Sequence, residues 1–187
     1  MEWIVPNMIA RQHVTVFYAK PKVGKTDTVV AGILAPLSRG EGVFGHEAPA
    51  TPVLAVILSE ETTGRWRSHV ERFGLRGGRI LTRGKIPNGV SFADAVDEAA
   101  RFAASIGAAI VVVDTLTAHA GLVGDAENDA GKMGEAIEPV LRAAATHNAA
   151  FVLIHHVRKW TNDADPSDVD LLRGSGNFAA KVDFLVH

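Results

Sequence analysis

Nearly continuous apolar runs, separated by segments with helical periodicity, constrain the fold of this chain more than any other feature. Runs without polar alternation are typical of strands that are buried on both faces of a sheet. Strands that alternate with helices predict an α/β fold, in which a mainly parallel central sheet is covered by helices on both faces. Five such runs occur, at residues 13–18, 53–58, 110–113, 151–154 and 182–186.

Two segments between these runs are predicted to be amphipathic helices. The first covers residues 91–106, with Ser91 as candidate N-cap, Asp94 three residues later and Gly107 after the last apolar position. The second covers about residues 129–147. Pro139 is expected to kink this second helix, because proline removes a backbone hydrogen bond and clashes with the preceding turn. Both segments carry apolar residues at the spacing of a helix with one buried face.

Length and composition bound the class of protein. The 187 residues and 47% hydrophobic content predict a single domain over residues 1–187 with one substantial core. No apolar run reaches the ~18 residues of a membrane span. The first residues, Met1-Glu2-Trp3, lack the basic charge of a signal peptide. Cysteine is absent, which excludes disulfides and thiolate chemistry and agrees with a reducing compartment. We therefore expect a cytoplasmic protein without a membrane partner.

The segment after the first apolar run has the pattern of a phosphate-binding loop. Such a loop needs backbone N–H groups around an anion at a helix N-terminus, a glycine at the closest approach, a lysine for the outer phosphates and a hydroxyl for Mg²⁺. Gly24, Lys25 and Thr26 match the last three requirements, and Asp27 is included in the candidate nucleotide site. Ala19 replaces the usual first glycine, which the backbone tolerates if φ is not positive there. The full segment is Ala19-Lys20-Pro21-Lys22-Val23-Gly24-Lys25-Thr26.

Carboxylates follow two other apolar runs, at the sheet edge where open parallel sheets bind ligands. Asp114 ends the run 110–113 and is predicted to hold Mg²⁺ beside Thr26, as a Walker B aspartate. Its alternative role is to cap the next segment. Glu60 is the candidate base that orients or deprotonates the attacking water. Glu61, beside it, better suits a helix N-terminus, where the macrodipole stabilises acids.

His155 and His156 end the run 151–154. Since the side chains of a strand alternate between its faces, only one of the two can face the nucleotide. A neutral histidine there can donate a hydrogen bond to a γ-phosphate oxygen or contact the lytic water, so one of the pair is a candidate phosphate sensor. Metal binding by the pair is disfavoured, because adjacent strand residues diverge and no third ligand is near in sequence.

These motifs occur in the order in which RepA-like ATPases have them, and the chain resembles that family over nearly its whole length. The family belongs to the RecA and DnaB superfamily and contains hexameric replicative helicases of plasmids and related ATPases of phages and other mobile elements. The resemblance implies a RecA-like P-loop NTPase sheet, in which the strand 151–154 lies between the Walker A and Walker B strands. Besides the Walker A segment, the matching motifs are Leu58-Ser59-Glu60-Glu61, Val113-Asp114-Thr115, Glu127-Asn128-Asp129, His155-His156 and Arg173-Gly174-Ser175-Gly176.

The resemblance also implies ligands and roles. ATP and Mg²⁺ are the expected ligands, with Lys25 on the phosphates and Thr26 and Asp114 on the metal. Glu60 is implied as the base and His156 as the sensor. Arg173 is implied to lie near the central channel of a homo-hexamer. Relatives follow their last strand with a finger arginine, whereas this sequence stops at His187. We therefore expect a domain that is truncated at its C-terminus, hydrolyses ATP slowly and assembles weakly.

The net charge of −2 gives no global signature of a nucleic-acid binder, so any contact with DNA must be local. Two basic clusters are candidates for contact with single-stranded DNA. Residues 65–85 contain seven basic side chains against one acidic side chain, which is either an anion patch or a solvated face. Arg158 and Lys159, next to Trp160, combine cations with an aromatic ring as single-strand binders do, or form an ordinary basic turn.

The leading functional hypothesis is a DNA-dependent, helicase-type ATPase that acts in the replication of a mobile element. The alternative is a nucleotide-switched adaptor or helicase loader, whose ATP state controls a protein partner without translocation. Fold alone does not separate these two functions.

Overall fold

The chain folds around a six-stranded parallel sheet. A computed structural model describes residues 1–19, 23–82, 89–122, 124, 126, 129–156 and 179–187. The candidate DNA-contact residues Arg158, Lys159 and Arg173, and Lys20, Pro21 and Lys22 of the phosphate-binding segment, lie outside the described residues. The strands are β1 (Trp3–Val5), β2 (Ile9–Ala10), β3 (Val14–Ala19), β4 (Ala55–Ser59), β5 (Arg79–Thr82), β6 (Ile110–Asp114), β7 (Ala150–His156) and β8 (Phe184–Val186).

Helical segments connect these strands. The first is a continuous run in which α1 and α2 are joined by a π-helical turn, Val30–Leu34. None of the helices in the part of the chain that the structure describes is long and apolar enough to cross a bilayer. The helices are α1 (Lys25–Val29), α2 (Ala35–Ser38), α3 (Thr63–Phe73), α4 (Phe92–Ser105), α5 (Leu116–His119) and α6 (Ala130–His147).

The strand order of the main sheet is β5-β4-β6-β7-β3-β8, and β1 and β2 form a separate antiparallel pair. β7 therefore pairs with β6 on one side and with β3 on the other. This confirms the prediction that the strand ending in the two histidines lies between the Walker A and Walker B strands. Because all six strands are parallel, their carboxyl ends meet at one edge of the sheet.

The central strands divide their side chains between two cores on opposite faces of the sheet. Val111 and Val113 of β6 join one core, whereas Ile110 and Val112 join the other, as the alternation of a strand requires. The first core is completed by α4 and α6, and the second by α1, the π-helical turn, α2 and α3. The predicted α/β sheet with helices on both faces is thereby confirmed.

Side-chain caps begin both predicted helices, and Ser91 is the cap that the sequence predicts. The Ser91 hydroxyl accepts a hydrogen bond from the Asp94 N–H at 3.1 Å, at the start of α4. The Asp129 carboxylate accepts from the N–H groups of Gly131 and Lys132, at 2.8 and 3.1 Å, at the start of α6. These side chains satisfy backbone donors that have no partner within the helix. α6 continues through Pro139.

Candidate nucleotide-binding site

A pocket of about 340 Å³ opens where β4, β6 and β7 end and α1 begins. Predicted site residues from four separate segments of the sequence meet there. His69 of α3 and Thr115, which were not predicted as site residues, also line it. The lining residues are Gly24, Lys25, Thr26, Asp27, Glu60, Glu61, Arg65, His69, Asp114, Thr115, Ile154 and His156.

The start of α1 has the backbone that a phosphate-binding turn requires. Gly24 precedes the helix with φ of 85° and ψ of 27°, a left-handed conformation that glycine adopts without steric penalty. No atom lies within 4 Å of the position of a Cβ on Gly24, so conformation alone requires glycine there. The Gly24 carbonyl accepts the N–H of Thr28 at 2.8 Å, the first bond of the helix. The N–H groups before Thr28 therefore lack helical partners and can bind an anion.

Ala19 and Lys25 lie close together beside this turn. Ala19 is the last residue of β3 and does not have positive φ, so alanine meets the condition for replacing glycine. The Lys25 ammonium donates a hydrogen bond to the Ala19 carbonyl at 2.8 Å. Burial lowers the pKa of Lys25 to about 8, and the negative charge of Asp114 opposes that shift. The side chain therefore still carries its charge at neutral pH.

Thr26 of α1 and Asp114 of β6 lie close together, although β7 separates β6 from β3, the strand that precedes α1. The Thr26 hydroxyl donates a hydrogen bond to Asp114 Oδ2 at 3.0 Å. Asp114 is only 4% exposed. Burial raises the pKa of its carboxyl to about 6, and Glu61 and Glu60 add to the shift, while the Thr26 hydrogen bond and Lys25 oppose it. Thr115, rather than Asp114, is the N-cap of α5, so the capping alternative for Asp114 is not observed.

The chemistry of this pair fits magnesium. Mg²⁺ prefers hard oxygen ligands and usually keeps several waters while binding one or two carboxylates and substrate phosphates. Thr26 and Asp114 offer one hydroxyl and one buried carboxylate. The described residues contain no group of three or more His, Asp or Glu side chains that could hold a metal ion. The donor set thus suits an ion that is shared with phosphate oxygens.

Glu60 and Glu61 both line the pocket but have different partners. The Glu60 N–H donates to the Asp114 carbonyl at 2.9 Å, which extends the pairing of β4 with β6 by one residue. Glu60 is exposed, and its Oε1 accepts from the Thr115 hydroxyl at 3.3 Å. Glu61 forms an ion pair with Arg65 at 3.0 Å and contacts His69 at 3.3 Å. Glu61 is therefore tied to α3, whereas Glu60 is open to the pocket.

The alternation of β7 separates the two histidines. His155 is fully buried on the face of the first core. His156 shares the opposite face with Ile154, and both line the pocket. Burial lowers the pKa of His156, and the nearby Lys25 charge lowers it further. A neutral imidazole therefore faces the pocket at neutral pH.

His69 connects two sides of the pocket. Its Nδ1 lies 3.3 Å from Asp27 Oδ1 in α1, and its Nε2 lies 3.3 Å from Glu61 Oε2 after β4. His69 is 8% exposed, and its ring contacts the rings of Trp66 and Phe73. The available sequence signal was its spacing, because Glu61, Arg65 and His69 lie four residues apart, the spacing of one helix face.

Three of the described arginines of residues 65–85 have local side-chain contacts. Arg65 pairs with Glu61, Arg72 lies 4.9 Å from the centre of the Phe73 ring, and Arg79 lies 5.9 Å from that of Phe102. These contacts favour the reading of this segment as a solvated face. Arg83 and Lys85 lie outside the described residues.

A phosphate-binding turn at the start of α1, a buried aspartate two strands away and a parallel sheet of this order define a RecA-like P-loop ATPase domain. Residues 1–162 match the AAA_25 family of AAA domains, and the chain belongs to that family. A solved structure of a KaiC-like protein from the hyperthermophilic archaeon Pyrococcus horikoshii OT3 is similar in fold. That structure has a TM-score of 0.62 and 14% identity, and the match covers 95% of this chain and 76% of that one. No curated protein matches the chain.

Proposed function

We propose that this domain binds ATP with Mg²⁺ at the carboxyl edge of the sheet and hydrolyses it, with Glu60 as the catalytic base. The observation that carries the proposal is the 3.0 Å hydrogen bond between Thr26 and Asp114. It places the hydroxyl of the phosphate-binding turn beside a buried carboxylate, so that one metal ion could contact both. Lys25 and Glu60 line the same pocket and supply a cation and a base.

Each residue then has a defined task. The N–H groups at the start of α1 bind phosphate oxygens, and the Lys25 ammonium neutralises the outer phosphates. Thr26 and Asp114 would hold Mg²⁺, and the ion would supply positive charge that offsets the negative charge developing during phosphoryl transfer. Because Asp114 is almost fully buried, little water competes with a metal ion for its carboxylate.

Hydrolysis itself needs a base and a neutral donor. A water oxygen forms a bond to the γ-phosphorus, the bond to the β–γ bridging oxygen breaks, and Glu60 accepts the proton from water. The Thr115 hydroxyl, 3.3 Å from Glu60 Oε1, orients that carboxylate. His156, kept neutral by burial and by Lys25, donates a ring N–H toward the γ-phosphate or contacts the lytic water.

We further propose that DNA stimulates this hydrolysis, in a helicase-type ATPase that serves replication of a mobile element and assembles as a homo-hexamer. The order of the motifs along the sequence, similar to that of RepA-like ATPases, supports this finer assignment. A nucleotide-switched adaptor or helicase loader remains the alternative, since it would use the same ATP site without translocation.

The test is ATPase activity with and without single-stranded DNA, with the mass measured in the same buffer. Faster hydrolysis in the presence of DNA is the expected result, and the measured mass reports how far the chain assembles under those conditions. Hydrolysis that ignores DNA would reject the helicase assignment and favour the adaptor.

Glu60→Gln provides the control for chemistry in the same assay. The amide keeps the shape of the side chain but cannot accept a proton, so ATP binding should persist while turnover falls by ~10²-fold or more. Glu61→Gln is the matched variant, because Glu61 is already engaged by Arg65 and His69. If Glu61→Gln stops turnover and Glu60→Gln does not, the base is assigned to the wrong residue.

A further inference from the structure

A second pocket lies on the other flank of the phosphate-binding turn. Its volume is about 330 Å³, and it is bounded by β3, β8, α1 and the loop before β4. Lys25 lines both this pocket and the pocket with the carboxylates. The two spaces therefore adjoin at the residue that faces the phosphates. β8 flanks β3 on this side, whereas β7, β6 and β4 lie on the other side.

The residues that line the second pocket are mainly apolar, and two of their side chains are unusually exposed. Val23 is 56% exposed and Phe44 is 55% exposed. The large hydrophobic side chains exposed within the described residues number five, and these two line one pocket. Exposed apolar side chains that gather at one concave site commonly mark a binding surface.

Phe44 is held in this position by its neighbours. Val43 is buried in the second core, and its carbonyl accepts the N–H of His46 at 2.9 Å. Phe44 itself has φ of 49°, a left-handed conformation that is unfavourable for a bulky side chain. A Cβ on Gly32 would lie 3.6 Å from the Phe44 ring, so the ring lies beside the π-helical turn. The loop thus presents an aromatic ring toward the pocket instead of burying it.

We infer that this pocket binds the base of the nucleotide, with a purine ring stacked on Phe44 and packed against Val23. This assignment rests on the proposed function and deepens it by naming the subsite for the nucleoside. If the γ-phosphate faces Glu60, the nucleoside must leave the phosphate-binding turn on the opposite flank. The second pocket lies on that flank and offers the flat apolar surface that stacking requires.

The test compares Mg·ATP with magnesium tripolyphosphate, which has the phosphates but no base. Both ligands are titrated into the full chain by calorimetry. Phe44→Ala should weaken ATP binding about tenfold, equal to ~1.4 kcal/mol, and leave tripolyphosphate affinity unchanged. Phe44→Tyr should retain ATP affinity because it keeps the ring. Val90→Ala removes another exposed apolar side chain, 42% exposed and outside this pocket, and should change neither affinity.

The controls separate failure of the base subsite from failure of the ATP site. If Phe44→Ala weakens both ligands equally, Phe44 supports the loop rather than the base, and if it weakens neither, the ring does not contribute to binding. Either result overturns the inference. If the unaltered chain binds tripolyphosphate as tightly as ATP, the subsite also fails while the phosphate site stands. If it binds neither ligand, the proposed function fails and the subsite fails with it.

Discussion

At the scale of single residues, the site contains two opposite charges, and burial shifts the pKa of each toward its neutral form. Asp114 has its pKa raised to about 6, mainly by burial, and Lys25 has its pKa lowered to about 8, also mainly by burial. Each residue gives up solvation on burial, which favours its neutral form. Between these two pKa values the carboxylate and the ammonium are both charged, as the proposed binding of Mg·ATP requires.

The raised pKa of Asp114 predicts that its charged carboxylate lowers the free energy of unfolding of the nucleotide-free protein at neutral pH. The folded state favours the protonated form of the Asp114 carboxyl. Protonation therefore contributes fully to the free energy of unfolding below the ordinary pKa of 3.8, and this contribution is lost as the pH rises through about 6. Asp114→Asn should therefore raise the free energy of unfolding by at most about 3 kcal/mol at pH 7.5, and by nearly nothing at pH 4.

Urea unfolding of the nucleotide-free protein at the two pH values measures this effect. Glu47→Gln, which changes an exposed carboxylate away from the pocket, is the control and should be neutral at both. A destabilised Asp114→Asn variant at pH 7.5 would contradict the conclusion that burial of the charged carboxylate costs stability.

At the scale of elements, the site depends on how α3 lies against α1. His69 joins these helices through Asp27 and Glu61, at 3.3 Å to each carboxylate. Because Glu61 directly follows Glu60, the position of α3 fixes the loop that carries the proposed base. This contact connects the start of α1, where phosphate is proposed to bind, to the end of β4, which carries the proposed base.

His69→Ala should therefore slow turnover more than it weakens ATP binding. Loss of the bridge lets the Glu60–Glu61 loop move, and small misplacements of a catalytic group lower rates by about tenfold or more. Affinity should change by less, since the phosphate-binding turn is intact. Steady-state rates and calorimetric affinities, measured beside Ser68→Ala on the same helix, check this split. An equal loss of affinity and rate would make His69 a purely structural residue.

Four of the five strands that the sequence predicted are buried on both faces, and the fifth, β8, is a partly buried strand at the sheet edge. β6 and β7 are apolar on both sides and could be identified without knowledge of their neighbours. β5 was missed because it lies at the sheet edge, where only Thr82 of its residues is buried. The π-helical turn has no signal in residue type. Helix α3 was visible only as a basic segment, since its buried residues are Trp66 and His69.

The candidate site was predictable where it depends on strand ends and not where it depends on packing. Asp114 and Glu60 could be selected because carboxylates that follow buried strands reach the ligand edge of the sheet. The choice between His155 and His156 needed the register of β7, which shows which of them shares a face with Ile154. His69 could not be assigned, because its contacts with Asp27 and Glu61 depend on the docking of α3.

At the scale of the whole molecule, the parallel sheet brings distant segments to one edge. Thr26 and Asp114 are separated by 88 positions in sequence, yet their oxygens lie 3.0 Å apart. The two cores hold β3, β7 and β6 side by side, so the geometry of the site is set by the most buried part of the fold. Substitution of a pocket residue such as Lys25 should consequently affect ligand binding and leave the fold unchanged.

The central claim is that the turn at the start of α1 binds the phosphates of Mg·ATP, and calorimetric titration of Lys25→Ala tests it most directly. Removal of the ammonium should weaken binding at least about tenfold, because a hydrogen bond to a charged group is worth ~1.5–3 kcal/mol. Lys132→Ala, which removes an exposed lysine of α6, should bind like the unaltered chain. Circular dichroism should show the same fold in all three proteins. ATP affinity that is unchanged in a folded Lys25→Ala variant would contradict the account.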